Sequence, residues 1–198
     1  MKRLLPIVLI LFTASGGMAQ EGRVRRGEPP PSQGNAVLHI TPMPSQIFSS
    51  LKDMATASLL IVEGTVKATL PSRETSPRAL ETDAVIAIRR VLKGPTDVRE
   101  VVISQRGGRR GGLVVAPTQY ALVQPGEHYV LFLTEDKRSG IPDVPGINRY
   151  LVTGLWSGLF RFQEGRMRTD ARRVDSLRAK YEGVNAEEIV GEIIASQQ

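Results

Sequence analysis

The side chains that could do chemistry in this chain are few, and their spacing limits what they could do. Glu63, Glu81, Asp83, Glu100 and Glu127 lie in or beside apolar, β-branched stretches. Two carboxylates projected from neighbouring strands could form the acid and base of a hydrolase. Without a partner, the same residues serve as charged strand edges and turns, which discourage edge pairing. The two histidines are His39 and His128, the latter in "PGEHY". Neither has a neighbour at metal-ligand spacing, and metal sites need converging ligands. No metal and no cofactor is therefore expected, and His128 reads as the polar first residue of a strand. No Gly-x-Ser-x-Gly elbow occurs, and "GLWSG" has its serine and glycines in the wrong places. A phosphate-cradling Lys-Ser/Thr loop is absent too. Ser49 and Lys52 make one Ser-x-x-Lys, but Ser-Asp-Asn and Lys-Thr-Gly do not accompany it, so chance accounts for it. The expectation is a protein that is not an enzyme, with no catalytic residue assigned.

"SQRGGRRGGLVV" (104–115) offers a different chemistry. Arg-Gly-Gly units bind RNA as long disordered arrays, where arginines pair with phosphates and stack on bases. Here there are only two units, enclosed by "VVIS" and "LVVAP", both strand-like. Glycine accepts positive φ without steric penalty, so Gly107, Gly108, Gly111 and Gly112 have a structural use in a tight loop. Nucleic acid is disfavoured as a partner. Arg106, Arg109 and Arg110 remain as a candidate loop for an anionic polymer, such as a surface polysaccharide or a phosphate-rich chain. Trp156, the single tryptophan, sits in "GLWSGLF" and is expected to pack in the core; exposure would instead make it a ligand platform.

The start of the chain addresses the question of compartment. "MKRLLPIVLILFTASGGMAQ" has Lys2 and Arg3, nine apolar residues from Leu4 to Phe12, and Gly17 and Ala19 before Gln20. This pattern reads as a secretory signal peptide over 1–19. Its apolar run falls short of the roughly 18 to 20 residues that span a bilayer, and no later segment approaches that length. The expected product is exported, to the periplasm or outside the cell, with no transmembrane segment in the mature chain. The sequence contains no cysteine, so its stability must come from the core alone. A net charge of +6 falls to about +4 without Lys2 and Arg3, ordinary for a soluble domain. The basic residues are mostly arginine but are scattered, and only clustered charge is informative.

Residues 20–44 read as a tether rich in Pro, Gly and Arg, whose composition cannot repay the entropy of ordering. Within it "AVLHI" (36–40) could add an edge strand. The folded domain is expected over 45–198. It opens with a short amphipathic helix capped by Ser45, with Ile47, Phe48, Leu51 and Met54 on one face. The period then changes to that of strands: Leu59–Leu70, Thr82–Gly94, Arg99–Gln105 and Tyr129–Leu133, with "PSRETSPRA" as a turn-like linker. "GLFRFQEGRMRT" is a hairpin turning at Glu164-Gly165, with Phe160, Phe162 and Met167 inward and Arg161, Arg166 and Arg168 outward. A C-terminal helix starts at Asn185, paired with Glu188 in a capping box, and carries Ile189, Ile193 and Ile194. The fold class is mainly β: a small antiparallel OB-like barrel with a short N-terminal helix and a C-terminal helix, or alternatively a β-sandwich.

"ASLLIVEGTV", "VIAIRRVLKG", "VVISQRGG", "PGEHYVLFL" and "GLFRFQEGRM" follow one another in an order that resembles a widespread group of small exported bacterial domains of unknown function. The likeness runs from Ala57 to Arg168. It implies an OB-like fold, or one similar to the netrin module, and carries no catalytic residue or ligand. A non-catalytic binding or accessory module, taking an unknown protein or anionic polymer, is the function that follows. A netrin-like protease inhibitor is the alternative, although its cysteine-dependent chelation of zinc has no counterpart here. A small hydrolase with an unrecognised carboxylate pair is the third.

Overall fold

A computed structural model of the chain describes residues 36–44, 46–138, 144–169 and 175–197. The expected signal peptide (1–19), the tether up to residue 35 and the Ser45 cap lie outside the described residues. In chain order the elements are β1 (Ala36–Ile40), α1 (Leu51–Ala57), β2 (Leu60–Thr69), β3 (Arg73–Ser76), β4 (Ala79–Lys93), β5 (Glu100–Arg106), β6 (Gly108–Arg110), β7 (Leu113–Pro117), β8 (His128–Glu135), β9 (Arg149–Val152), β10 (Leu159–Gln163), β11 (Arg166–Arg168), α2 (Ser176–Lys180) and α3 (Ala186–Ala195).

Five strands close on themselves. β2 pairs antiparallel with β4, and β4 with β5. β5 runs parallel to β9, and β9 antiparallel to β8. β8 then returns to β2. The ring β2-β4-β5-β9-β8 is an OB-like barrel, and closure leaves one interior where a sandwich would have two facing sheets. The β10–β11 hairpin extends the sheet beyond β8. A separate small sheet is ordered β1-β7-β6, with β1 parallel to β7.

Strand alternation sends side chains to opposite faces, and here both faces of β2 and β8 are apolar for different reasons. Leu60, Val62, Tyr129, Leu131 and Leu133 fill the barrel with Ala84, Ile86, Val101 and Ile103. Ile61, Val130 and Phe132 point the other way and pack with Phe160, Phe162 and Met167 under the helices. The helices contribute Leu51 and Met54 from α1, Leu177 from α2, and Ile189, Val190 and Ile193 from α3. Burying each such side chain is worth about 1.5–3 kcal/mol, which lets a cysteine-free chain hold its shape. At Gly64 a Cβ would sit 2.5 Å from the Ala87 carbonyl oxygen, beside a bulge in the β2–β4 ladder. Only glycine permits β4 to approach so closely.

The hairpin lies as its sequence predicts. Phe160, Phe162 and Met167 are buried, and Glu164 and Gly165 both take positive φ at the turn, as a two-residue type I′ connection requires. Four expectations need correction. The N-terminal helix begins only at Leu51, capped by Ser50, whose Oγ accepts from the Asp53 amide at 3.1 Å. Phe48 is buried ahead of it, while Ile47 is 79% exposed; apolar spacing alone cannot show where a helix starts. The linker 71–79 contains β3, which pairs Arg73 with Glu81 across a Pro77-Arg78 turn. Its own residues are polar or charged, Arg73 meeting Glu81 across the pair, so hydrophobic periodicity does not see it. Ile194 is exposed, and the Asn185 cap accepts from Glu187 rather than from the third residue of α3. Among the described residues, no helix is long and apolar enough to cross a membrane.

Candidate functional site

Ala84 and Ile86 on β4, and Val101 and Ile103 on β5, point into the barrel. Their neighbours Asp83 and Ser104, which pair across the ladder, therefore face outward, as do Glu81 and Arg106, which also pair. Flanking elements lay arginines over this outer face: Arg73 from β3, Arg138 from the β8–β9 connection, and Arg149 from the start of β9. Arg73 Nη2 reaches Glu81 Oε2 at 2.7 Å. Arg73 and Arg149 both engage Asp83 Oδ2, and Ser104 Oγ donates to Asp83 Oδ1 at 2.7 Å. Arg138 pairs with Glu81 and, at 2.7 Å, with Asp136.

The electrostatics follow from these contacts. Burial favours the neutral form of Asp83, but hydrogen bonds from Arg73, Ser104 and Arg149 outweigh it and hold the acid below the usual carboxylate range. Hydrogen bonds from Arg138 likewise hold Asp136 low. Glu81 and Asp83, two of the five carboxylates considered as a hydrolytic pair, thus meet through one shared arginine, Arg73. The other three lie apart. Glu63, 1% exposed, is ringed by Arg89, Arg90 and His128 at 3.1, 2.7 and 3.0 Å. Glu100 pairs with Lys67 at 2.6 Å, and Glu127 with Arg161 at 3.2 Å. His128 does begin its strand, and its polar partner is Glu63. No group of three or more His, Cys, Asp or Glu residues able to hold a metal occurs among the described residues.

Two clefts flank this network. The first, about 360 Å³, is lined by Glu81, Ser104, Arg106, Tyr120, Arg138 and Trp156 among others. The Tyr120 and Trp156 rings stack at 5.8 Å between centroids and 20° between planes. Burial pushes the Tyr120 phenol up, and its hydroxyl donates to the Arg106 carbonyl at 2.9 Å. Trp156 is buried, as expected, yet it packs against Tyr120 at a cleft wall rather than within either hydrophobic cluster. It is carried on a turn in which Leu155 takes φ 60°, a conformation that costs a branched residue free energy. The second cleft, about 420 Å³, is lined by Thr75, Ser76, Arg78, Glu81, Arg106 and Arg138, with Ile40, Leu80 and Val115 as apolar wall.

The three arginines of the Gly-rich stretch separate. Arg106 ends β5 and lines both clefts. Arg109 and Arg110 fall on β6, which pairs with β7 through a turn at Gly111-Gly112; Arg109 borders a different hollow with Ser72. The loop is thus largely a hairpin. Gly107, Gly108 and Gly111 take positive φ, but Gly112 does not. At Gly108 a Cβ would come within 2.1 Å of Ser72 Oγ. Arg73, Arg78, Arg138, Arg149 and Tyr120 are site residues that sequence reasoning did not select. The one available signal was the Ser-Pro-Arg turn, which folds Arg73 back onto Glu81. A scan of protein-family models finds none that matches the chain, and no curated protein matches it either.

Proposed function

We propose that this chain is an exported, non-catalytic binding module whose ligand occupies the clefts on the outer face of β4 and β5. One observation carries the reading: both clefts open against a common wall of Glu81 and Arg106, on the second and third strands of the barrel, and Arg138 from the β8–β9 connection. The same face, flanked by the connections that supply Arg73 and Arg138, is where OB barrels take oligosaccharides and oligonucleotides. Volumes of this size suit a small molecule or a short segment of polymer. The carboxylates that a hydrolase would need are engaged by basic side chains, and Asp83 is held ionised, whereas a general acid must keep its proton near the working pH. The leader at 1–19 supports export to the periplasm or beyond.

Trp156 is the only tryptophan and lines the first cleft, so its fluorescence reports occupancy. Titrating the purified chain with fractionated envelope polysaccharides and soluble envelope extract is expected to give a saturable change in emission that Arg138→Gln weakens. Turnover of any component, abolished by Glu81→Gln or Asp83→Asn, would replace this reading with the hydrolase.

A further inference from the structure

The arginines of this face are not equivalent. Arg73, Arg138 and Arg149 are all engaged by carboxylates. Arg78 and Arg106 line the second cleft together, and neither guanidinium has an ion pair or hydrogen bond among the described residues. Glu81 shares the cleft, but its carboxylate is answered by Arg73 and Arg138. Among the described residues, the cleft therefore carries two solvent-exposed cations with no paired counter-charge. Thr75 and Ser76 also line it, and Ile40, Leu80 and Val115 form an apolar side.

The backbone supplies an independent observation. Arg78 is the second residue of the two-residue turn between β3 and β4, and its φ is 65°. Turns that need positive φ at this position favour glycine, because a Cβ there is crowded. A residue kept in such a conformation at the mouth of a cleft points to a use for its side chain. An arginine at that place directs a cation where glycine would have been the less strained choice.

We infer that the second cleft binds a phosphate group, held between Arg78 and Arg106. Planar guanidinium groups match tetrahedral oxyanions through paired hydrogen bonds. A phosphate dianion balances both cations, whereas a single carboxylate would leave one unanswered. The group comes either as free inorganic phosphate or as a phosphoester whose organic part lies on the apolar side. This inference rests on the binding-module reading.

Isothermal titration of the full chain at low salt, with inorganic phosphate and separately with glycerol 3-phosphate, tests it. One saturable site is expected, weakened at least tenfold by Arg106→Gln and by Arg78→Gly, and unchanged by Arg109→Gln. Arg78→Gly relieves the turn, so its thermal midpoint should not fall, and lost binding would not reflect lost folding. Tighter binding of glycerol 3-phosphate identifies a phosphoester, and equal binding identifies free phosphate. The inference is overturned if neither probe binds, or if Arg109→Gln weakens binding as much as the other two changes. A Trp156 response to envelope material that persists alongside such a failure would leave the binding module standing without its phosphate.

Discussion

Replacing Asp83 by Asn tests whether the charge network on the outer face holds the barrel's strands in place. Asp83 is 4% exposed, and its carboxylate receives Arg73, Arg149 and Ser104. Removing one partner of a buried ion pair costs about 3–5 kcal/mol, because the remaining charge stays buried. The loss here is smaller, since Arg73 keeps Glu81, Arg149 keeps Ser104, and asparagine still accepts a hydrogen bond. About 2–3 kcal/mol is expected at pH 7, or a fall in Tm of roughly 4–12 °C for a domain of this length. The pH dependence fixes the sign. The native pKa of Asp83 is depressed, so its contribution is fully present above the unfolded value of about 3.9. It is lost as pH falls through the lower, native value. Urea unfolding of both proteins at pH 7 and near pH 3 should therefore give a gap that narrows in acid. A gap below about 0.5 kcal/mol at pH 7, within the range of ordinary surface changes, would refute the reasoning. So would a gap that widens as the pH drops.

Three further outcomes are expected. Gly64→Ala forces a Cβ to within 2.5 Å of the Ala87 carbonyl oxygen, and chemical denaturation should show a loss of about 1–3 kcal/mol. Phe132→Ala empties a fully buried position beside Phe160, at 5.6 Å between rings; the loss should be about 3–5 kcal/mol, with the α1–α3 layer loosening first by amide exchange. Lys93 Nζ donates to the Ala55 and Ser58 carbonyls at 2.6 and 2.7 Å, closing the C-terminal end of α1. Lys93→Met should cost about 1.5–3 kcal/mol per bond set lost, read as earlier proteolysis in the segment before β2.

Much of the barrel was legible because its strands obey a simple rule. β2, β4, β5 and β8 announce themselves by β-branched, apolar runs, and the β10–β11 hairpin by strict alternation about Glu164-Gly165. Those signals report burial, because runs of apolar side chains leave water wherever the fold lets them. β3 left no such mark, because its four residues, Arg73 to Ser76, are all polar or charged and Arg73 ties it to β4 through Glu81 and Asp83. The helix α2 escaped for a related reason: at five residues it is too short to show a period. α1 was misplaced at its start because Ile47 and Phe48 share a spacing but not an environment.

Local chemistry alone settled the strand-rich middle, the turn at Glu164-Gly165 and the cap at Asn185. Each depends on a residue's own conformational preferences or on neighbours a few positions away. Only the tertiary structure decided that β8 closes onto β9, that Arg106 parts company with Arg109 and Arg110, and that Arg78 and Arg106 share a cleft. Those facts depend on which residues a closed, tilted ring of strands places opposite one another. Side-chain type carries no record of that, because an arginine in solvent and an arginine over Asp83 are the same letter until the strands between them have paired.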